Sequence, residues 1–150
     1  GGWTTSNYAA LACPDLPTCH GEWLPEMDFS AGFNVLQHIG PNYLGGQLDN
    51  TARTAIHFAH RVGAMLVTVL LLSVVALLWR TGVAESRRMA AVVLSVLLMQ
   101  LALGIGNVWF GLPLMVAVSH NAVGALLLLV MVTLNHRLLT VQCRTSAEEK

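Results

Sequence analysis

Two histidines stand where ionisable side chains are rare. His60 sits in AIHFAHRVGA, residues 55–64, at the mouth of a long apolar run, and His120 sits in LMVAVSHNAVGALLLL, at the mouth of another. An imidazole is the commonest protein ligand for a metal, and an ionisable group inside a membrane segment marks a functional site when a partner can be named. His120 is the partner for His60. Arg61 follows the first histidine directly, and Cys13 and Cys19 lie close together in CPDLPTC. The chemistry these residue types offer is metal ligation, pairing with an anion, and disulfide formation.

The elements that must position them are apolar helices. The chain has 150 residues, of which 55% are hydrophobic and only 11% charged, and its mean hydropathy is +0.61. These values place it with small polytopic membrane proteins rather than soluble domains. Formal net charge is zero, so nothing points to nucleic acid. Three runs are long enough to cross a bilayer as helices, predicted at 54–79, 89–108 and 114–134. The fold expected is all-α: a membrane bundle of three spans with a large outer loop.

Residues 1–53 carry Gly, Pro, Asn, Asp and Ser throughout and hold no spanning run, so they are expected to form that loop. Within it Phe29, Phe33 and Leu36 fall at i, i+4 and i+7 of DFSAGFNVLQHI, before Gly40 and Pro41. The spacing predicts a short amphipathic helix over 28–39 lying at the membrane surface. Residues 140–150 read as a polar tail. Arg80, Arg87 and Arg88 mark one side of the membrane, and Arg137, Arg144 and Lys150 mark the same side again, which assigns that side as cytoplasmic. The loop bearing Cys13 and Cys19 then faces the periplasm, where a disulfide persists.

With spans beginning near Thr54 and Leu114, His60 and His120 are each six residues in, roughly 9 Å below the outer helix ends at about 1.5 Å per residue. Two imidazoles at matched depth on two parallel helices suit the axial positions of a haem iron, and a bundle interior suits the apolar macrocycle. Gly63 and Ala64 after His60, and Gly124 after His120, are expected to leave room for it. Arg61 has two readings, a partner for a haem propionate or a side chain that snorkels to lipid headgroups.

His57 shares the His60 face and can be read as the ligand in its place, as a supporting partner, or as an interfacial side chain. His136 reads as interfacial; His20 and His38 read as solvated loop residues. The cysteine pair reads as a structural staple, with a redox-active disulfide as the sharper alternative. No CxxCH haem-attachment motif occurs, so a haem here is held non-covalently.

GGWTTSNYAALACPDLPTCHGEW, NYLGG, AIHFAHRVGA, QLALGIGNV and LPLMVAVSHNAVGALLLL, in that order, resemble the C-terminal half of the haem A synthase family over residues 1–139. The resemblance implies two pseudo-symmetric four-helix halves, each with a histidine pair, in an enzyme that oxidises a methyl group of haem O to the formyl group of haem A for cytochrome oxidase assembly. It implies His60 and His120 as axial ligands of haem b, with Arg61 beside them and Cys13 and Cys19 as the paired cysteines of the outer loop.

It also implies that the first helix of this half and the haem O-binding N-terminal half lie outside these residues. His57 takes the place of that half's acidic residue, and this segment alone is expected to be inactive. The implied partners are haem O, a haem O synthase, an electron-transfer partner and the lipid bilayer, in an inner-membrane, multi-pass setting. Two other classes fit the same residues: a cytochrome-b-like bis-histidine electron carrier, and a cofactor-free membrane assembly module.

Overall fold

A computed structural model describes residues 1–36 and 48–148, with side chains described through residue 140. Its elements are α1 (Gly2–Ser6), α2 (Phe29–Gly32), α3 (Asn50–Arg80), α4 (Ala84–Trp109) and α5 (Leu114–Glu148). No strand occurs among the described residues; the one β-like pairing is an isolated bridge between Cys19 and Glu22. The architecture is all-α, as the sequence predicts, and three helices are long and apolar enough to cross a membrane.

α4 is the central helix. α3 and α5 each pack along it, with no close backbone approach between the two. At one end the packing joins Val75 and Leu78 of α3, Ala90 and Val93 of α4 and Leu134 of α5. Halfway along, Leu71, Val96, Leu97 and Leu127 continue it. The outward faces remain apolar, with Met65, Leu66, Val69 and Leu70 on α3 and Met115, Leu128 and Leu129 on α5 exposed. A contiguous apolar surface of this extent has its natural surroundings in hydrocarbon rather than water.

The helices exceed the predicted spans for local reasons. α3 starts four residues early because the carbonyl of Asp49 accepts from Arg53 N (3.1 Å), while Arg53 Nε donates to Leu48 O (2.8 Å). α4 opens at Ala84, so the charged segment before residue 89 is helix rather than loop, and its Glu85 pairs with Arg137 of α5. α5 continues through the predicted tail to Glu148. The turns are tight. Gly82, at φ +77°, reverses the chain after α3. Between α4 and α5, Leu112 N donates to Asn107 O (2.7 Å) and Pro113 O accepts from Ala117 N (3.0 Å).

The amphipathic helix predicted over 28–39 is a single turn in its described part. Asp28 caps it, with Oδ1 accepting from Ala31 N at 2.9 Å, and two backbone and side-chain bonds to that carboxylate hold its pKa below the usual carboxylate value. The turn stops at Gly32, and Asn34 Oδ1 then takes the N–H of Leu36 at 3.0 Å, a local bond that competes with a further helical turn. Phe29 and Phe33 still stack, at 6.2 Å between ring centroids. Residues 37–39 lie outside the described residues. Gly32 is required by close packing on α3: a Cβ there would stand 2.7 Å from the carbonyl oxygen of Ala52. Trp3 Nε1 donates to Gly32 O at 2.9 Å and draws α1 onto the same place.

Candidate functional site

His57, His60 and Arg61 lie on successive turns of α3 at its loop-facing end, and they divide between two tasks. His57 is buried and takes no part as a free imidazole, because its Nδ1 accepts the backbone N–H of Cys13 at 3.2 Å. A ring nitrogen that accepts carries no proton, so in the neutral ring the proton sits on Nε2. Arg61 donates from Nη1 to Thr18 O (2.8 Å) and from Nη2 to Cys13 O and Asp15 O (both 2.9 Å). Its Nε is buried without a partner. The guanidinium is thus engaged by loop carbonyls, partners that the sequence did not suggest.

The loop it grips is built from within. The sulfurs of Cys13 and Cys19 lie 2.06 Å apart, with both residues buried. Asp15 organises the return. Its carboxylate accepts from the Thr18 hydroxyl, from Gly21 N (2.9 Å) and from His20 N (2.6 Å). These bonds, the Thr18 hydroxyl foremost, pull its pKa from 3.8 down to about 2. Cys19 and Glu22 exchange backbone bonds of 2.9 and 3.1 Å to close the turn.

His60 and His120 line one cavity of about 460 Å³, between α3 and α5 and backed by α4. That size falls within the range of about 300–1,000 Å³ typical of small-molecule and cofactor sites. Gly1, Thr4 and Thr5 of the N-terminal segment form one wall; Gln100, Gly104 and Asn107 of α4 form another. Gly104 gives the His120 ring its seat, since a Cβ there would come 3.1 Å from Cε1. His120 Nδ1 is buried without a partner, and Nε2 lies 3.4 Å from Gln100 Nε2. Of the small residues expected to make room, Gly124 is in the wall, while Gly63 and Ala64 are not.

The sequence matches the family described as cytochrome oxidase assembly protein (COX15-CtaA) over residues 1–132. The chain belongs to this family.

Relatives within it bear one name. The heme A synthase of Shewanella oneidensis is 44% identical over 137 residues, which cover 91% of this chain and 41% of the relative. That of Methylobacterium radiotolerans is 32% identical over 92% of this chain and 35% of its own length. That of Halalkalibacterium halodurans is 29% identical over 85% of this chain and 36% of its own. The chain thus spans well under half the length of the relatives it matches. No solved structure matches it significantly.

For this cytochrome oxidase assembly family member, His57 also borders the cavity, whereas His20 and His136 do not. His20 is exposed in the loop, its N–H held by Asp15, and His136 is exposed on α5. His38 lies outside the described residues. Gln100 and Asn107 were not legible as individual site residues, although two carboxamides seven positions apart in an apolar run is a signal. They share one helix face, and each keeps a buried side-chain oxygen without a partner.

Proposed function

We propose that this chain is the haem-holding part of a haem A synthase, with His60 and His120 as the axial ligands of a haem b. One observation carries the reading: two histidines, from helices that do not approach one another, open onto the same cavity. The residues fit a haem in three further respects. The cavity wall mixes apolar and polar groups, a Cβ at Gly104 or Gly124 would intrude on its side chains, and one nitrogen of His120 is buried without a partner. When bound, the haem supplies a one-electron couple whose potential follows from its two imidazoles and the surrounding dielectric.

The chain's own residues then have distinct tasks. His60 and His120 would hold the iron from two helices. His57 and Arg61 fasten the Cys13–Cys19 loop to the ligand-bearing helix, which favours a loop anchor over a propionate partner for Arg61. Thr4 and Thr5 shield the cavity from one side. The cysteine pair serves as a disulfide staple of a loop on the periplasmic face, and the end marked by Arg80, Arg87, Arg88 and Arg137 faces the cytoplasm.

The reaction proposed for the whole protein is oxidation of a methyl group of haem O to the formyl group of haem A, which the shared name of the relatives supports. Haem O would come from a haem O synthase, and an electron-transfer partner would take the electrons. The test is to supply haem O to the full-length protein in membranes and follow the pyridine haemochrome spectrum. Appearance of haem A is the expected result. A stable bis-imidazole haem with no conversion would make the protein an electron carrier instead.

A further inference from the structure

Helices α4 and α5 meet through a reciprocal arrangement that haem ligation alone does not explain. Gln100 and Gly104 stand one turn apart on α4, and His120 and Gly124 one turn apart on α5. A Cβ on Gly104 would come 3.1 Å from His120 Cε1, and a Cβ on Gly124 would come 3.2 Å from Gln100 Nε2. Each helix thus offers a polar side chain and, four residues on, the hollow that receives the other's. The tight turn at 110–113 makes the two helices antiparallel, so the pairs Gln100/Gly104 and His120/Gly124 face each other in register. At the centre the carboxamide nitrogen and His120 Nε2 are 3.4 Å apart.

This contact is more than a fill of space. Gln100 Oε1 and His120 Nδ1 are both buried without partners, and a buried polar group left unpaired in apolar surroundings is costly. The torsion that turns an imidazole about its Cβ–Cγ bond is broad, so the ring needs an external constraint to keep one plane. The Gly104 hollow on one side and the Gln100 carboxamide at its edge supply it. A ligating imidazole uses one nitrogen for the metal and needs a partner for the N–H of the other. The carboxamide beside His120 has an acceptor oxygen with no other bond to make.

We propose that Gln100 is a positioning residue for His120: seated on Gly124, its carboxamide lies at the Nε2 edge of the imidazole and fixes the plane of the ring, and its unpaired Oε1 would be at hand for the ring N–H that does not face iron. The inference rests on the reading of His120 as an axial ligand and deepens it. A purely structural interhelical bond, of the kind polar side chains make in membranes, would change stability alone, so the decisive readouts are haem affinity and the electron paramagnetic resonance signal of the low-spin haem.

The experiment uses the full-length protein purified with its haem. Gln100→Leu leaves an apolar side chain one atom shorter in the same place and removes the hydrogen bond. It is expected to weaken haem binding roughly 10–100-fold, the usual effect of losing a partner behind a metal ligand, and to displace the low-spin signal. Gln100→Glu, which keeps an acceptor in place, is expected to restore both. Gly124→Ala, which crowds the carboxamide, is expected to displace the signal on its own, and it is read in place of Gln100→Leu if that variant does not fold. Parental affinity and signal in Gln100→Leu overturn the inference, as does a change confined to unfolding temperature. His120→Ala separates the two readings. Loss of haem there beside an unaltered Gln100→Leu removes this inference alone; an unaltered spectrum in both removes the ligand assignment beneath it.

Discussion

The backbone N–H of Cys13 donates to Nδ1 of His57 at 3.2 Å, which ties the Cys13–Cys19 loop to the helix that carries His60 one turn further on. His57 is buried and lies between the loop and the cavity. His57→Leu would leave the Cys13 N–H buried and unpaired, a loss of about 1–3 kcal/mol. Thermal unfolding in detergent should show the destabilisation, while the haem spectrum persists. Loss of haem with unchanged stability would instead make His57 a ligand.

Arg61 holds three carbonyls of the same loop from one guanidinium. A lysine offers a point charge without the planar fork, so Arg61→Lys should release the loop nearly as fully as Arg61→Ala. Hydrogen exchange over residues 13–21 is the measurement, and faster exchange in both variants is the expected outcome. A rigid loop in Arg61→Lys would show that charge alone suffices.

Asp15 predicts a pH dependence with a definite sign. Its folded pKa, about 2, lies below the ordinary 3.8 because the Thr18 hydroxyl and the Gly21 and His20 N–H groups favour the charged form. A group depressed in this way stabilises the folded state above its unfolded pKa, and the contribution disappears as pH falls from about 3.8 towards 2. The difference in unfolding temperature between the parent and Asp15→Asn should therefore narrow across that window and stay constant above it.

Gly32 packs so close to α3 that a Cβ would stand 2.7 Å from the Ala52 carbonyl oxygen. That atom is backbone and has little freedom to yield. Gly32→Ala should lower stability by about 1–3 kcal/mol, as overpacking does, and loosen the Trp3 bond to the Gly32 carbonyl. Trp3 has an indole N–H bonded there at 2.9 Å, so a shift in tryptophan fluorescence would accompany the destabilisation.

Much of this was legible in the residues, and the remainder was hidden for physical reasons. Apolar length marked three spans, because crossing a bilayer demands it. His60 and His120 stood out because charge-bearing groups are rare in such runs, and both do line one cavity. The loop contacts of Arg61 were hidden because a guanidinium near a cofactor site suggests an anion, whereas here backbone carbonyls some forty residues earlier meet it. Nothing in local sequence reveals such a partner. The extra turns of α4 were concealed by their charges, which read as loop until Glu85 finds Arg137 on the neighbouring helix. Gln100 and Gly104 carry their meaning only once α5 places His120 and Gly124 opposite them.

The central claim is that His60 and His120 grip one iron. Redox-difference spectroscopy of the full-length protein, with His60→Ala and His120→Ala prepared separately, tests it most directly. Each substitution should remove the low-spin bis-imidazole haem contributed by this region, while His136→Ala, far along α5, should leave it intact. Retention of that spectrum in both His60→Ala and His120→Ala would contradict the claim.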